Sequence, residues 1–393
     1  MIARLLILAL LAFGALSFER LPVGTVLDGT ELRASLPPGA IRGGQANTEA
    51  GAILLPEITA TTKRRDEPAA LFFSNAPEIL NVITLPKRRG LLATAQVGAG
   101  SVRILVSHAN YFPYPMDVVL RMHNGGDENA EVVLSPRALA TESLTPGRFR
   151  VDALVGAFLV QEYFKDVDAV AKERGWRPPD GVRKRVVRYR SESDAVLIPA
   201  FQKHASFMGM LTTSVPLTLS LYVVPARERI VVRDCPPVPR SGSQVRGLFE
   251  KPDCEVEATI DVSGGTPSRY AFGESERDNA LGVLDGGNWM QGTDATMPGT
   301  PETVVNRGDF GGITHLTATV KGEGYGGALL MLVAGGRKVL VFPKPTGPPL
   351  LLHQWNGVVV GRVKVGETWR HGFTLPPNSW APVYLVAVPV RKP

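Results

Sequence analysis

MDVVLRMHNGGDENAEVVL, residues 116–134, is the stretch on which the fold class turns. Met116, Val118, Leu120 and Met122 recur at every second position, the spacing that lines one face of an extended strand. Asn124-Gly125-Gly126-Asp127 follows, built from residues that accept tight-turn backbone, and Ala130 to Leu134 returns as a second apolar run. Upstream, Leu92 to Val97 and Val102 to Ser107 flank Gly98-Ala99-Gly100, which predicts a hairpin. Downstream, strands are expected at Val182 to Tyr189, Ala195 to Ala200, Ser206 to Thr212 and Pro216 to Val224. This is the signature of an antiparallel meander. No alternation of strands and helices is visible, which argues against a doubly wound enzyme fold.

One segment departs from the period of two. Val151, Val155, Phe158, Leu159, Tyr163, Val167 and Val170 follow steps of three and four, which predicts one amphipathic helix near 151–173, stopped by Gly175 and Pro178-Pro179. Its charges are mixed rather than basic, so packing on the sheets explains it better than a membrane surface does. Strands resume near Glu255 to Ile260 and recur at His315 to Val320, Gly327 to Val333, Val339 to Phe342, Val358 to Val365 and Tyr384 to Val390. The expected fold is therefore mainly β, with two β-sandwich-like domains at 69–225 and 255–391, the first carrying the helix. Residues 18–68 read as a loose N-terminal arm, and 226–254 as a linker.

Arg4 precedes an unbroken apolar run from Leu5 to Ala15, and Ala15-Leu16-Ser17 carries small residues at the positions a signal peptidase reads. The run is short for a bilayer span. Residues 1–17 are expected to be a removed signal peptide, leaving a secreted, extracytoplasmic chain with no transmembrane segment. Its net charge would fall from +6 to +5 with the loss of Arg4. The two cysteines, Cys235 and Cys254, enclose eighteen residues (PPVPRSGSQVRGLFEKPD). An even count in an oxidising compartment predicts a disulfide between them.

LFFSNAPEIL (71–80), GAGSVRILVSHAN (98–110) leading into MDVVLRMHNGG, and VVNRGDFGGITHLTATV (304–320) occur in that order. Together they resemble a group of uncharacterised secreted bacterial proteins with tandem β-sandwich domains, some joined to copper-amine-oxidase-N-like wall modules. The resemblance covers about 70 to 390. It implies tandem β domains outside the cell and transfers no catalytic residue.

Candidate chemistry is sparse. His108, His123, His204, His315, His353 and His371 are scattered without a metal-ligand spacing, although His108 and His123 could meet across neighbouring strands. There is no G-x-S-x-G elbow and no phosphate-binding loop. Asp285-Gly286-Gly287-Asn288 and Gly292-Thr293-Asp294 resemble calcium-loop fragments without the spacing of an EF-hand. Arg307-Gly308-Asp309 is explained by a turn. Trp289, Trp355, Trp369 and Trp380 could form a sugar platform or fill a core. Lys63-Arg64-Arg65, Lys87-Arg88-Arg89 and Arg183-Lys184-Arg185 with Arg188 and Arg190 are the notable basic clusters. On the last, Arg183 and Arg185 should face one way, with Lys184, Arg188 and Arg190 facing the other. A charged edge strand competes there with contact to an anionic cell-wall polymer or glycan. No motif for nucleic acid is present. The expectation is a non-enzymatic structural or binding protein of the bacterial cell envelope or extracellular space, without cofactor; a carbohydrate-binding or carbohydrate-active second domain is the alternative.

Overall fold

The computed structural model describes residues 21–42, 52–65, 70–142, 182–240, 245–272, 290–299, 301–306, 311–335, 338–341, 350–375 and 382–392. The expected signal peptide, the helix near 151–173, Trp176, Trp289, Trp380, the 285–288 turn and Arg307-Gly308-Asp309 lie outside those residues. The fold is mainly β.

A nine-stranded sheet runs, in spatial order, through Arg183–Val187, Ala130–Glu142, His204–Thr213, Gly100–Asn110, Ala70–Ser74, Arg246–Phe249, Met290–Asp294 and Glu302–Asn306, with Ile79–Leu80 beside Gly100–Asn110. A four-stranded sheet of Ser191–Phe201, Met116–Asn124, Leu217–Pro225 and Gly90–Val97 faces it. One core takes side chains from both: Met116, Val118, Leu120 and Met122 meet Val102, Ile104, Val106, Val132 and Phe207. The period-two stripe is thus buried as expected. The connections differ from expectation. Gly90–Val97 pairs with Leu217–Pro225, whereas Gly100–Asn110 pairs with His204–Thr213 and Ala70–Ser74. Gly98-Ala99-Gly100 is therefore an arch between sheets rather than a hairpin turn. The link after Asn124 likewise crosses, because Met116–Asn124 and Ala130–Glu142 belong to different sheets. Alternation requires only that one face be buried; it is satisfied equally by a hairpin within a sheet and by an arch over a core.

The second unit repeats this plan. A five-stranded sheet of Val26–Leu27, Gly357–Lys364, Tyr325–Ala334, Val383–Arg391 and Ser268–Phe272 packs on a four-stranded sheet of Thr368–Phe373, Thr314–Lys321, Cys254–Asp261 and Thr59–Arg64. Tyr325–Ala334 reads as a continuous apolar run because both of its faces are covered. Ala328, Leu330 and Leu332 enter the core between the sheets. Leu329, Met331 and Val333 meet a second core of Leu21, Leu27, Leu32, Leu36, Ile53 and Trp355.

That second core corrects the expectation of a loose arm at 18–68. Asp28 caps the helix Gly29–Ser35, accepting from the N–H groups of Thr30 and Glu31 while Glu31 accepts from the N–H of Asp28. The helix then buries Leu32 against the five-stranded sheet. Nor is the chain divided in two consecutive pieces. Thr59–Arg64 completes a sheet of the second unit, and the Met290–Asn306 ribbon extends the large sheet of the first through Leu248 and Thr293. The expected linker supplies a strand, Arg246–Phe249, to that sheet. Gly247 in it has φ 129°, and a Cβ there would lie 2.3 Å from the Thr293 carbonyl oxygen.

The expected disulfide is absent: Cys235 and Cys254 are free and buried. Cys235 packs with Val119, Tyr222 and Val224 on the outer face of the first unit's four-stranded sheet. Cys254 lies in the core of the second unit, its Sγ 3.3 Å from Thr314 Oγ1. A disulfide needs Cα atoms within about 7 Å, and the eighteen intervening residues carry the chain from one core to the other. Burial pushes the Cys235 thiol pKa up.

Candidate binding surface

Among the described residues Arg183–Val187 forms the outer edge of the large sheet, paired with Ala130–Glu142 alone. Its register places Arg183 and Arg185 opposite the core residues Leu134 and Val132, and Lys184 opposite Val133 on the other face. The strand ends at Val187, so Arg188 and Arg190 belong to the following turn. The five cations therefore do not form one row. Arg183 Nη1 donates to the Val196 carbonyl at 3.4 Å, and Arg185 Nη1 donates to Ser193 Oγ at 3.2 Å and to the Asp194 carbonyl. These two brace the large sheet to the edge of its partner. Arg190 pairs with Asp127 at 2.8 Å. Lys184 and Arg188 are exposed and enter no ion pair among the described residues.

The outer face of the adjoining sheet carries a polar band. Arg121 meets Asp194 through two bonds of 2.8 Å and Glu192 at 3.0 Å, and its guanidinium lies 5.7 Å from the centre of the Tyr222 ring. The hydrogen bonds to Asp194 push the Arg121 pKa up. His123 faces Glu192 at 3.9 Å. Arg121 engages both carboxylates, and two carboxylates against one guanidinium leave these three side chains with a negative excess.

Two serine–histidine contacts lie in the interior. Ser74 donates to His108 Nε2 at 3.1 Å while His108 Nδ1–H donates to the Pro77 carbonyl at 2.7 Å. This is the orientation of a serine–histidine pair, with a carbonyl in place of the orienting carboxylate. Both side chains are sealed, at 1% and 0% exposure. Burial lowers the His108 pKa to about 4. Ser107 sits 3.1 Å from His204 Nε2 and 2.8 Å from Ser206 Oγ, equally enclosed. His108 and His123 do not meet, since they belong to different sheets. Among the described residues no group of three or more His, Cys, Asp or Glu could hold a metal ion, and no helix is long and apolar enough to cross a membrane.

Asp294, from one calcium-like fragment, is occupied by Arg246 Nε at 2.9 Å and the Thr296 N–H at 2.9 Å. Trp355 is buried against the N-terminal segment, and Trp369 stacks on His371 with ring centres 5.0 Å apart. Neither presents an open sugar platform.

Sequence reasoning missed the two interior ion pairs. Arg246–Asp294 is one, and Arg246 also donates to the carbonyls of Ala76 and Val238. Arg103–Asp253 is the other, with contacts of 3.0 and 3.2 Å. Arg103 also donates to the Gly311 carbonyl at 2.9 Å, and Asp253 accepts from the Ile313 N–H at 2.9 Å. This cluster ties the large sheet to the second unit. Its members lie 150 residues apart, and nothing local in sequence marks them. No family model matches the chain, and no curated protein matches it.

Proposed function

We propose that this chain is a non-enzymatic structural or binding protein of the bacterial cell envelope or extracellular space, made of two β-sandwich units and touching an anionic wall polymer or glycan through its basic edge. The observation that carries this reading is the division of chemistry in the described residues. Ser74, Ser107, His108, His204, Arg103 and Arg246 are buried and spent on fastening, whereas Lys184 and Arg188 face solvent without carboxylate partners among the described residues. The resemblance to secreted tandem β-sandwich proteins and the leader-like residues 1–17 support the compartment.

The test is retention on anionic cell-wall material. Binding should weaken steeply between 0.1 and 1 M salt, as the Debye length shortens from about 10 Å to about 3 Å. K184E/R188E should abolish retention with an unchanged melting temperature. R183E/R185E should instead lower the melting temperature, because those side chains brace two sheets. Retention of K184E/R188E at wild-type strength would overturn the assignment of the edge.

A further inference from the structure

Val82 and Ile83 are the two most exposed large apolar side chains among the described residues, at 67% and 83%. They stand side by side at the tip of a turn that is fastened from within. Asn81 Oδ1 accepts from the N–H groups of Ile83 and Thr84 at 2.8 and 3.0 Å. Thr84 Oγ1 accepts from the Asn81 N–H and donates to the Ile79 carbonyl. Leu85, two residues beyond the tip, is sunk into the first unit's core. The turn therefore holds its apolar tip outward and cannot fold it back onto the sheet.

Next along the chain come Lys87 and Arg88, both exposed. Arg88 lies over the Tyr114 ring, 6.0 Å from its centre. Tyr114 belongs to a neighbouring loop that is fixed too: Asn110 Nδ2 donates to the carbonyls of Tyr114 and Phe201, and Phe112 stacks on Tyr114 at 5.2 Å. Exposed Arg227 is brought to the same end by its N–H bond to Asp117.

An aliphatic tip with cations beside it matches the apposition of acyl chains and phosphates at a bilayer surface; Tyr114, whose ring packs on the first core, helps to fix Arg88 rather than to enter the lipid. Two aliphatic side chains offer no aromatic face on which a sugar could stack. A preformed tip also avoids the ordering cost that a mobile loop would incur on insertion. We infer that the 81–89 turn docks this protein on an anionic lipid surface, with Val82 and Ile83 entering the acyl boundary and Lys87 and Arg88 meeting headgroup phosphates. The tip and the basic edge are far apart. They adjoin opposite ends of Met116–Asn124, a strand of nine residues and so about 27 Å long.

The experiment is co-sedimentation of the full chain with phosphatidylglycerol-containing vesicles and with pure phosphatidylcholine vesicles. Wild type should pellet with the anionic vesicles at low salt and remain soluble with the neutral ones. V82S/I83S should lower the partition coefficient at least about tenfold, since each buried methylene matters to partitioning. K87E/R88E should lower it comparably and flatten the salt dependence. I83W should tighten binding, with a blue shift of the added tryptophan's emission as it enters the apolar layer. K184E/R188E should leave the emission blue shift of vesicle-bound I83W unchanged, because the tip still enters the apolar layer, which separates this site from the polymer-binding edge. Wild-type failure to bind anionic vesicles would overturn the inference, as would wild-type binding by V82S/I83S. Concentration-dependent self-association abolished by V82S/I83S, without vesicle binding, would assign the tip to a protein contact and overturn it equally.

Discussion

At the junction of the two units, Arg103 meets Asp253 at 3.0 Å with both side chains 1% exposed; at the basic turn, Arg190 meets Asp127 at 2.8 Å with exposures of 74% and 83%. The ions and the distances are nearly the same, yet the pairs do different work. In the interior, removing one partner strands a charge that water cannot reach, and several kcal/mol follow. At the surface, water and salt take the place of the missing partner. Contact distance therefore does not rank these interactions. Desolvation does, and it separates the fastening of this molecule from the surface it can offer to others.

The largest expected effect is that of Asp253→Ala, which leaves the buried Arg103 guanidinium without its carboxylate and also removes the acceptor for the Ile313 N–H. It should cost about 3–5 kcal/mol in denaturant-induced unfolding. A loss below about 1 kcal/mol would show that water reaches the junction and would erase the contrast with Arg190.

The second interior pair sharpens the point. Asp294→Ala alone should destabilise by several kcal/mol, whereas Asp294→Leu combined with Arg246→Met should recover much of that loss, because the paired charges repay their own desolvation poorly. A double variant no better than the single one would show that the Arg246 bonds to the Ala76 and Val238 carbonyls, rather than the charge pair, hold this region.

His108 extends the comparison to pH. Its folded pKa of about 4 lies below the ordinary 6.5, so the native state prefers the neutral ring. The associated stability is fully present above pH 6.5 and is lost as pH falls from 6.5 towards 4, by about 3 kcal/mol in all. Replacing His108 with Gln should flatten that part of the stability–pH curve, even though it lowers stability at neutral pH. An unchanged acid limb would assign the loss to other groups.

The smallest effect belongs to Arg190→Ala or Asp127→Ala, which should change stability by less than about 1 kcal/mol. A change comparable to that of Asp253→Ala would mean that exposure is a poor guide here.

The strand face of Met116, Val118, Leu120 and Met122 was legible because burial of one face imposes a period of two whatever the neighbours are. The choice between hairpin and arch at Gly98-Ala99-Gly100 was not, because both place the same residues inward. The helix Gly29–Ser35 did carry a local signal: Asp28 and Glu31 have the spacing of a capping box, although the Gly- and Pro-containing sequence around it reads as loose. The basic cluster was visible as composition and, at Arg183, Lys184 and Arg185, as a division between two faces. Its separation into braces, an ion pair and two unpaired cations depends on Ser193, Asp194, Val196 and Asp127, which only the fold brings near. The two cysteines misled because parity and compartment carry no information about which core receives each thiol.

The crossing of strands between units has a consequence in time. Val26–Leu27 finds its partner in Gly357–Lys364, Thr59–Arg64 finds its own in Cys254–Asp261, and the large sheet receives its last ribbon from Met290–Asn306. During synthesis, which runs from the N-terminus, the earliest strands must wait for some of the latest. The second unit closes only when Val383–Arg391 arrives between Tyr325–Ala334 and Ser268–Phe272. Such distant pairings fold slowly and leave apolar faces uncovered meanwhile. The first unit has all its described strands once Glu302–Asn306 is made, whereas the second, whose strands both precede and follow it in the chain, must wait for Val383–Arg391.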